Sequence, residues 1–384
     1  MKSQFWILLT LCVLCGSPAI AGEFPSAREI ASAKPGKVLR VEPLLGGAFG
    51  SARAYRALYR STDFTGKPTV ISGAFFIPGG SAPEAGWDIV AWAHPTTGVN
   101  DKCAPTVRDE AATAIPGLEE MLNRGWAVAA TDYEGLGTPG VHPYLSGASE
   151  ARSIADSLTA LAELMHGKVS GRYAVWGHSQ GGHAALFADQ YSNETRSDFH
   201  LVGVAAAAPP TDLAAVLESN RSRGVGADLE AMTIWSWTRT YKLPLEPLVN
   251  KSRIAAINRV ASDCLQSVVD YVQLLDDQKK LGNFLEMDPD SDPSWRKVMD
   301  ENSPQPGMLR APLFISQDLN DEIVPATITT HFVKQVCAAG GVVRYYEIED
   351  SSHIEVARDT ATEAIAWIAN RFAGEPAPND CPPG

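Results

Sequence analysis

Short runs of apolar, β-branched and aromatic residues recur along this chain, separated by stretches in which apolar residues return every three or four positions. The runs predict strands over Ala54–Ser61, Thr69–Ile77, Asp88–Ala93, Ala127–Thr131, Tyr173–Trp176, Leu201–Ala206, Pro312–Ser316 and Val342–Ile348. The later runs are apolar throughout, as expected of parallel strands covered on both faces. Among the intervening stretches, Ile154, Leu158, Leu161 and Met165 follow i, i+4, i+7, i+11, which predicts a helix with one buried face. Alternation of this kind means an α/β fold: a mostly parallel sheet flanked by helices, joined by right-handed crossovers.

The alternation lapses between Thr211 and Met308. That segment is helical and aromatic in pattern, with Trp235, Trp237, Tyr241 and the proline-broken Leu243–Leu248. It falls between the sixth and seventh predicted strands and reads as a helical cap, 211–308, inserted into a core of 22–210 and 309–384.

Residues 1–21 stand apart from this pattern. Lys2 is their one charge, Phe5 to Val13 is an apolar run, and Ala19-Ile20-Ala21 has the small-x-small form of a cleavage site. The run is too short to span a bilayer, which takes about 20 apolar residues. The expectation is a secretory leader cleaved after about Ala21, with no transmembrane segment, and a mature protein that is extracellular or periplasmic. At 45% hydrophobic and 20% charged residues the chain can bury a large core. Its net charge of −13 argues against a nucleic-acid partner, whose phosphates demand a basic face. A monomer is favoured. Beyond the leader, Cys103, Cys264, Cys337 and Cys381 form an even set that predicts two disulfides in an oxidising compartment. Spacing leaves three connectivities open. No Cys-x-x-Cys or Cys/His spacing supports zinc, and no metal or other cofactor is expected.

The chemistry is concentrated in Tyr173-Ala-Val-Trp-Gly177-His-Ser179-Gln-Gly181-Gly182-His-Ala-Ala-Leu-Phe187. A buried strand runs into Gly-x-Ser-x-Gly, and an alanine-rich helix leaves it. The bare pattern is weak evidence and its context has to carry it; this setting is that of a nucleophile elbow, a tight turn that lifts a serine Oγ above the sheet. Serine needs a base, and the base needs an acid to hold its tautomer. In elbow hydrolases the chain order is serine, acid, histidine. His331 sits in a helical pattern, whereas His353 follows the last strand in the loop Asp350-Ser-Ser-His-Ile, so His353 is the candidate base. Asp318, Asp321 and Glu322 follow the seventh predicted strand. Asp321 is preferred as the acid because Glu322-Ile-Val-Pro325, the usual end of an acid loop in these hydrolases, comes next. Two N–H groups must hold the oxyanion. Gln180, after the nucleophile, supplies one. The loop His94-Pro-Thr-Thr-Gly98 supplies the other, and Thr96 is the candidate because Pro95 has no N–H.

The blocks His94-Pro-Thr-Thr-Gly98, Cys103-Ala-Pro, Asp132-Tyr-Glu-Gly-Leu-Gly137, His142-Pro-Tyr-Leu145, Gly177-His-Ser-Gln-Gly-Gly-His183 and Asp321-Glu-Ile-Val-Pro325 resemble the secretory lipase family. These are α/β-hydrolase lipases and esterases of the Candida antarctica lipase A type, here in a bacterial-looking form. The resemblance spans nearly all the chain after the leader and is tightest from about Thr69 to Pro210. It implies an ester-hydrolysing Ser179–Asp321–His353 triad, a helical cap, and disulfides Cys103–Cys264 and Cys337–Cys381. Two departures stand out: Pro95 replaces the usual glycine of the oxyanion loop, and Asp318 replaces the usual glycine before the acid.

Tyr133, beyond the fourth predicted strand, and the cap residues Trp235 and Trp237 are candidates for substrate binding; turn formation and cap packing are their plainer roles. His178 and His183 read as packing residues. Asp288-Pro-Asp-Ser-Asp292 starts like a calcium loop but lacks the following glycine and has Met299 at position twelve. Asn193-Glu-Thr195, Asn220-Arg-Ser222 and Asn250-Lys-Ser252 match the glycosylation pattern, which acts only in a eukaryotic host. The resulting expectation is an exported serine hydrolase of lipid or other carboxylic esters. The alternatives are a peptidase or carbohydrate esterase on the same fold, and a non-catalytic binding protein.

Overall fold

The computed structural model describes residues 23–44, 50–108, 111–192, 198–221 and 224–382. The expected leader lies outside these residues, as do Asn193, Thr195 and Ser222 of two glycosylation patterns.

The strands are β1 (Val38–Pro43), β2 (Arg53–Thr62), β3 (Pro68–Ile77), β4 (Trp87–Ala93), β5 (Ala127–Thr131), β6 (Val169–His178), β7 (His200–Ala207), β8 (Leu313–Asp318) and β9 (Val343–Ile348). They form one sheet in the order β1-β2-β3-β5-β4-β6-β7-β8-β9. The β1–β2, β2–β3 and β3–β5 pairs are antiparallel, and every pair from β5–β4 to β8–β9 is parallel. All eight predicted strands are present. β1 is an addition: half-exposed Val-Leu-Arg-Val-Glu-Pro leaves only a weak apolar signal at an edge. The insertion therefore follows the seventh strand of the sheet, not the sixth.

Both faces of the parallel region are covered, and successive residues of each strand serve opposite layers. In β4, Ile89, Ala91 and Ala93 pack on one side with Leu158 and Leu161; Val90 and Trp92 pack on the other with Met121 and Trp126. β6 does the same, with Tyr173 and Val175 opposed to Ala174 and Trp176. This is why the central strands read as unbroken apolar runs.

The helices that matter for the site are α1 (Gly147–Leu164) and α2 (Gln180–Gln190) in the core. Between β7 and β8 come α3 (Leu213–Asn220), α4 (Gly224–Thr240), α5 (Ile254–Val260), α6 (Val268–Leu281) and α7 (Pro293–Glu301). These five share an apolar cluster with Val99, Tyr144 and Leu145, centred on Trp237 and Trp295, whose rings stack 6.0 Å apart. After β8, α8 (Ala326–Ala338) carries Cys337 to its disulfide with Cys381. The C-terminal tail is pinned by that bond and by Asp380, whose amide donates to the Val343 carbonyl at 2.8 Å.

Candidate active site

Four loops at the carboxyl ends of β4, β6, β8 and β9 bring the sequence-selected residues together, where open α/β sheets place ligands. Ser179 sits between β6 and α2 with φ 53° and ψ −118°, a left-handed turn rare for a residue with a side chain. Its amide donates to the Ala207 carbonyl at 2.9 Å. The turn needs its flanking glycines because backbone meets backbone there. A Cβ on Gly177 would lie 2.1 Å from the Gly181 carbonyl oxygen; one on Gly181 would lie 1.8 Å from that of Ala93.

Ser179 Oγ lies 2.8 Å from His353 Nε2, and His353 Nδ1 lies 2.7 Å from Asp321 Oδ2. All three are buried; Ser179 keeps 8% exposure. The second Asp321 oxygen accepts the amides of Ile323 and Val324, each at 2.8 Å, and Gln317 Nε2 donates to Oδ2 at 3.0 Å. Burial pushes the Asp321 carboxyl up. The hydrogen bond and charge of His353, with the two amides, outweigh it and hold the carboxyl below its usual range. Asp318 ends β8 and accepts the Asn320 amide at 3.1 Å, a turn role. His331 lies on α8, bonded to Gln335.

His178, read from sequence only as a packing residue, braces the backbone of His353. Burial, then the charge of nearby His353, pushes its imidazole down to about 3, so it is neutral near pH 7. Its Nε2–H donates to the His353 carbonyl at 2.7 Å and so holds the loop that carries His353. Gln180 is held similarly. Its side chain donates to Glu150 at 2.9 Å and to His142 at 3.0 Å, and Glu150 also bonds His183 Nδ1 at 2.7 Å. His183 Nε2–H donates to the Asn302 carbonyl, just beyond α7. Both histidines flanking Ser179 thus brace backbone.

Gln180 opens α2, so its amide is among the first-turn N–H groups without a partner inside the helix. Thr96 faces the same cavity as Ser179. Its hydroxyl bonds Tyr144 at 2.8 Å, and the preceding Pro95 carbonyl accepts from His94 Nδ1 at 2.7 Å. Pro95 is thereby built into a fixed loop. That loop is tied to the insertion by the Gly98–Cys264 bridge, by Leu265 N–H donating to Thr97 at 3.0 Å, and by the Cys103–Cys264 disulfide.

Ser179 and His353 open onto a cavity of about 170 Å³ lined also by Pro95, Thr96, His178, Val225, Leu229, Leu265, Tyr271, Ile323 and Ile354. None of Tyr133, Trp235 and Trp237 is in this lining, which corrects the sequence-based choice of substrate residues. Tyr133 is buried under the His94–Gly98 loop, its hydroxyl donating to the His94 carbonyl at 3.2 Å. Trp237 is buried in the insertion with its indole N–H on the Tyr144 carbonyl, and Trp235 carries the Arg239 guanidinium 4.2 Å above its ring. Tyr133 and the two tryptophans went to packing, while aliphatic residues and Tyr271 face the cavity. Ile354, adjacent to His353, and Ile323, two residues after Asp321, were the lining residues that their neighbours could have revealed. The carboxylates of Asp288-Pro-Asp-Ser-Asp292 are spent on Arg221, Arg296 and the α7 N-cap. No group of three or more metal-ligating side chains converges among the described residues.

Comparison with known proteins gives the family and the fold. The family model described as secretory lipase matches residues 111–380. A trichothecene C-3 esterase of Fusarium sporotrichioides is 25% identical over 376 residues, covering 90% of this chain and 81% of that protein. A Mycobacterium tuberculosis protein described as a probable inactive lipase is 24% identical, covering 90% of this chain and 80% of its own length. The X-ray structure of Candida antarctica lipase A superposes with a TM-score of 0.77 at 17% identity, over 92% of this chain and 85% of that one. This likeness shows an α/β-hydrolase fold. With the family model spanning most of its length, the chain belongs to the secretory lipase family.

Proposed function

We propose that this protein is an exported serine ester hydrolase that cleaves carboxylic esters of the lipid class through an acyl-enzyme on Ser179. The observation that carries the reading is the hydrogen-bonded series Ser179–His353–Asp321 at an apolar cavity. His353 Nε2 takes the Ser179 proton as Oγ attacks the ester carbonyl carbon. The amides of Gln180 and Thr96 hold the resulting oxyanion. His353 then returns the proton to the departing alkoxide. Water, deprotonated by the same nitrogen, attacks the acyl-enzyme and releases the acid, and Asp321 stays ionised throughout, holding the Nδ1–H tautomer and stabilising the imidazolium. No cofactor enters these steps.

The lining favours an acyl chain over a sugar or peptide. Polar groups buried against Val225, Leu229, Leu265 and Ile354 would lose their hydrogen bonds to water without replacement. The helical insertion at Thr211–Met308 acts as the cap, supplying Val225, Leu229, Leu265 and Tyr271 to the cavity wall. Export is supported by the leader-like residues 1–21 and the two disulfides.

One family member is described as inactive, so the chemistry has to be measured directly. A p-nitrophenyl ester series from acetate to palmitate should be hydrolysed by the wild type, and Ser179→Ala should lower kcat by at least about 10⁴-fold. Equal rates for the two proteins would refute the mechanism. A maximum at short acyl groups marks an esterase and one at long acyl groups a lipase.

A further inference from the structure

The two amides assigned to the oxyanion come from different segments, Thr96 from the loop after β4 and Gln180 from the first turn of α2. Both must reach one oxygen to within about 3 Å for the pair to act on it. A single three-residue segment, His142-Pro143-Tyr144, holds the side chains of both. The Tyr144 hydroxyl is hydrogen-bonded to Thr96 Oγ1 at 2.8 Å, and His142 Nε2 accepts from Gln180 Nε2 at 3.0 Å.

The direction of the His142 bond is set by the other ring nitrogen. Nδ1 lies 2.7 Å from the Glu134 carbonyl, which can only accept, so Nδ1 carries the proton and Nε2 presents a lone pair. Burial pushes this imidazole down to about 4, which keeps it neutral near pH 7. At the other donor, the Pro95 carbonyl and the Thr96 N–H belong to one planar trans peptide and point opposite ways. His94 Nδ1, by holding that carbonyl at 2.7 Å, aims the amide. Tyr144 then fixes where Thr96 stands relative to Gln180.

The segment is held in turn from the insertion. Ser236 Oγ donates to the His142 carbonyl at 2.6 Å and accepts the Tyr144 amide at 3.1 Å, and the Trp237 indole N–H donates to the Tyr144 carbonyl at 2.8 Å. All four residues are buried. Ser236 lies seven residues after Leu229 on α4, two turns along the same face, and Leu229 lines the cavity beside Ser179. One face of α4 thus touches both the cavity and the segment that holds Thr96 and Gln180.

We propose that Tyr144 and His142 are positioning residues of the oxyanion hole, and that Ser236 of α4 sets them in place. The proposal rests on the ester-hydrolase reading above. None of the three lines the cavity, so their effect reaches the reaction only through Thr96 and Gln180.

The test is kinetic. Tyr144→Phe removes one hydroxyl from a buried ring and keeps its packing. With p-nitrophenyl butyrate, kcat should fall about 5-fold at unchanged KM, the rate equivalent of one net hydrogen bond. A loss of that form marks an interaction made in the transition state. Butylboronic acid gives a second readout: its boron takes the Ser179 oxygen, His353 takes the proton, and the tetrahedral anion puts an oxygen where the oxyanion forms. Its inhibition constant should rise by the same factor of about 5. A merely structural role would lower the melting temperature and leave the inhibition constant of the folded protein unchanged. Ser236→Ala should shift kcat and boronic acid binding in the same direction. Combined with Tyr144→Phe it should cost less than the product of the two, because both act on the placing of Thr96. If Ser236→Ala does not fold, Trp237→Phe, which takes the indole N–H from the Tyr144 carbonyl, replaces it. Wild-type kcat and inhibition in Tyr144→Phe overturn the positioning and leave the ester-hydrolase reading standing, as does a change in KM alone. Effects that simply multiply in the double variant overturn the link to α4. A wild type that neither turns over the ester nor binds the boronic acid refutes the ester-hydrolase reading, and the positioning with it.

Discussion

The two disulfides provide a test in which stability and activity separate. Cys103–Cys264 closes an interval of 161 residues and Cys337–Cys381 one of 44. On chain-entropy arguments they stabilise the fold by about 5 and about 4 kcal/mol, less any strain, so the global effects of removing them differ by only about 1 kcal/mol. Their local settings differ far more. Cys337–Cys381 joins the end of α8 to the C-terminal tail beside Val343, at the amino end of β9. His353 follows the opposite end of that strand. Cys103–Cys264 ties the oxyanion loop to the insertion beside Gly98 and Leu265. Replacing Cys103 and Cys264 by serine leaves two backbone contacts there, worth about 1 kcal/mol each. These must hold Thr96 to Gly98 against an ordering cost of about 1–2 kcal/mol per residue. The balance then favours an open loop by about 1–4 kcal/mol, which places the fall in kcat at about 5-fold or more, up to the full loss of that donor. Complete loss of one oxyanion donor would cost about 10²–10³. The assay is p-nitrophenyl butyrate turnover, with melting curves, for the wild type and both double serine variants. Similar melting losses with a turnover defect confined to Cys103→Ser, Cys264→Ser are expected. Equal turnover defects in the two variants, or full activity without Cys103–Cys264, would refute the reasoning.

Three further outcomes follow from the geometry. Asp321→Asn should lower kcat/KM by about 10⁴-fold, by turning the His353 tautomer against Ser179. Because the folded-state pKa of Asp321 is depressed, its stabilisation is complete above the unfolded value of about 4 and disappears as pH falls through the folded value. The melting difference between wild type and Asp321→Asn should therefore shrink below about pH 4; a constant difference down to pH 2 would contradict this. Gly181→Ala forces a Cβ to 1.8 Å from the Ala93 carbonyl oxygen, so the elbow must shift, and activity should drop with the melting temperature. Wild-type kinetics in that variant would show that the approach of α2 to β4 is not needed. Burial raises the Glu230 carboxyl to about 8, and neither oxygen has a hydrogen-bond partner among the described residues. A raised carboxyl contributes stability below its unfolded pKa and loses it as pH climbs through the folded one. Glu230→Gln, which mimics the neutral form, should thus flatten the decline in melting temperature between about pH 5 and 8, as read by calorimetry.

Much of the site was legible in the chain because its constraints are local. An elbow needs glycines within two residues of the serine, and a loop base follows a strand end. Strand runs such as Asp88–Ala93 were legible because both faces of a parallel strand are buried. β1 was less so, since an edge strand keeps polar residues on its open side. The apolar side of the cavity lining escaped. Val225, Leu229, Leu265 and Tyr271 come from three places in the insertion, and their approach to Ser179 depends on how α4 and α6 pack. The larger Trp235 and Trp237 attracted attention for their size, but their bulk fills the packed interior of the insertion and its Arg239 contact instead. His178 and His183 show the same limit, because a buried histidine bracing a distant carbonyl has no signature in sequence spacing.

The sequence by itself determined the α/β alternation and the order serine, aspartate, histidine, because backbone periodicity and catalytic chemistry both act over a few residues. Tertiary structure alone decided which side chains face the cavity beside Ser179. Those depend on contacts between distant segments, such as His178 and His353, 175 residues apart, and no local pattern encodes such a distance.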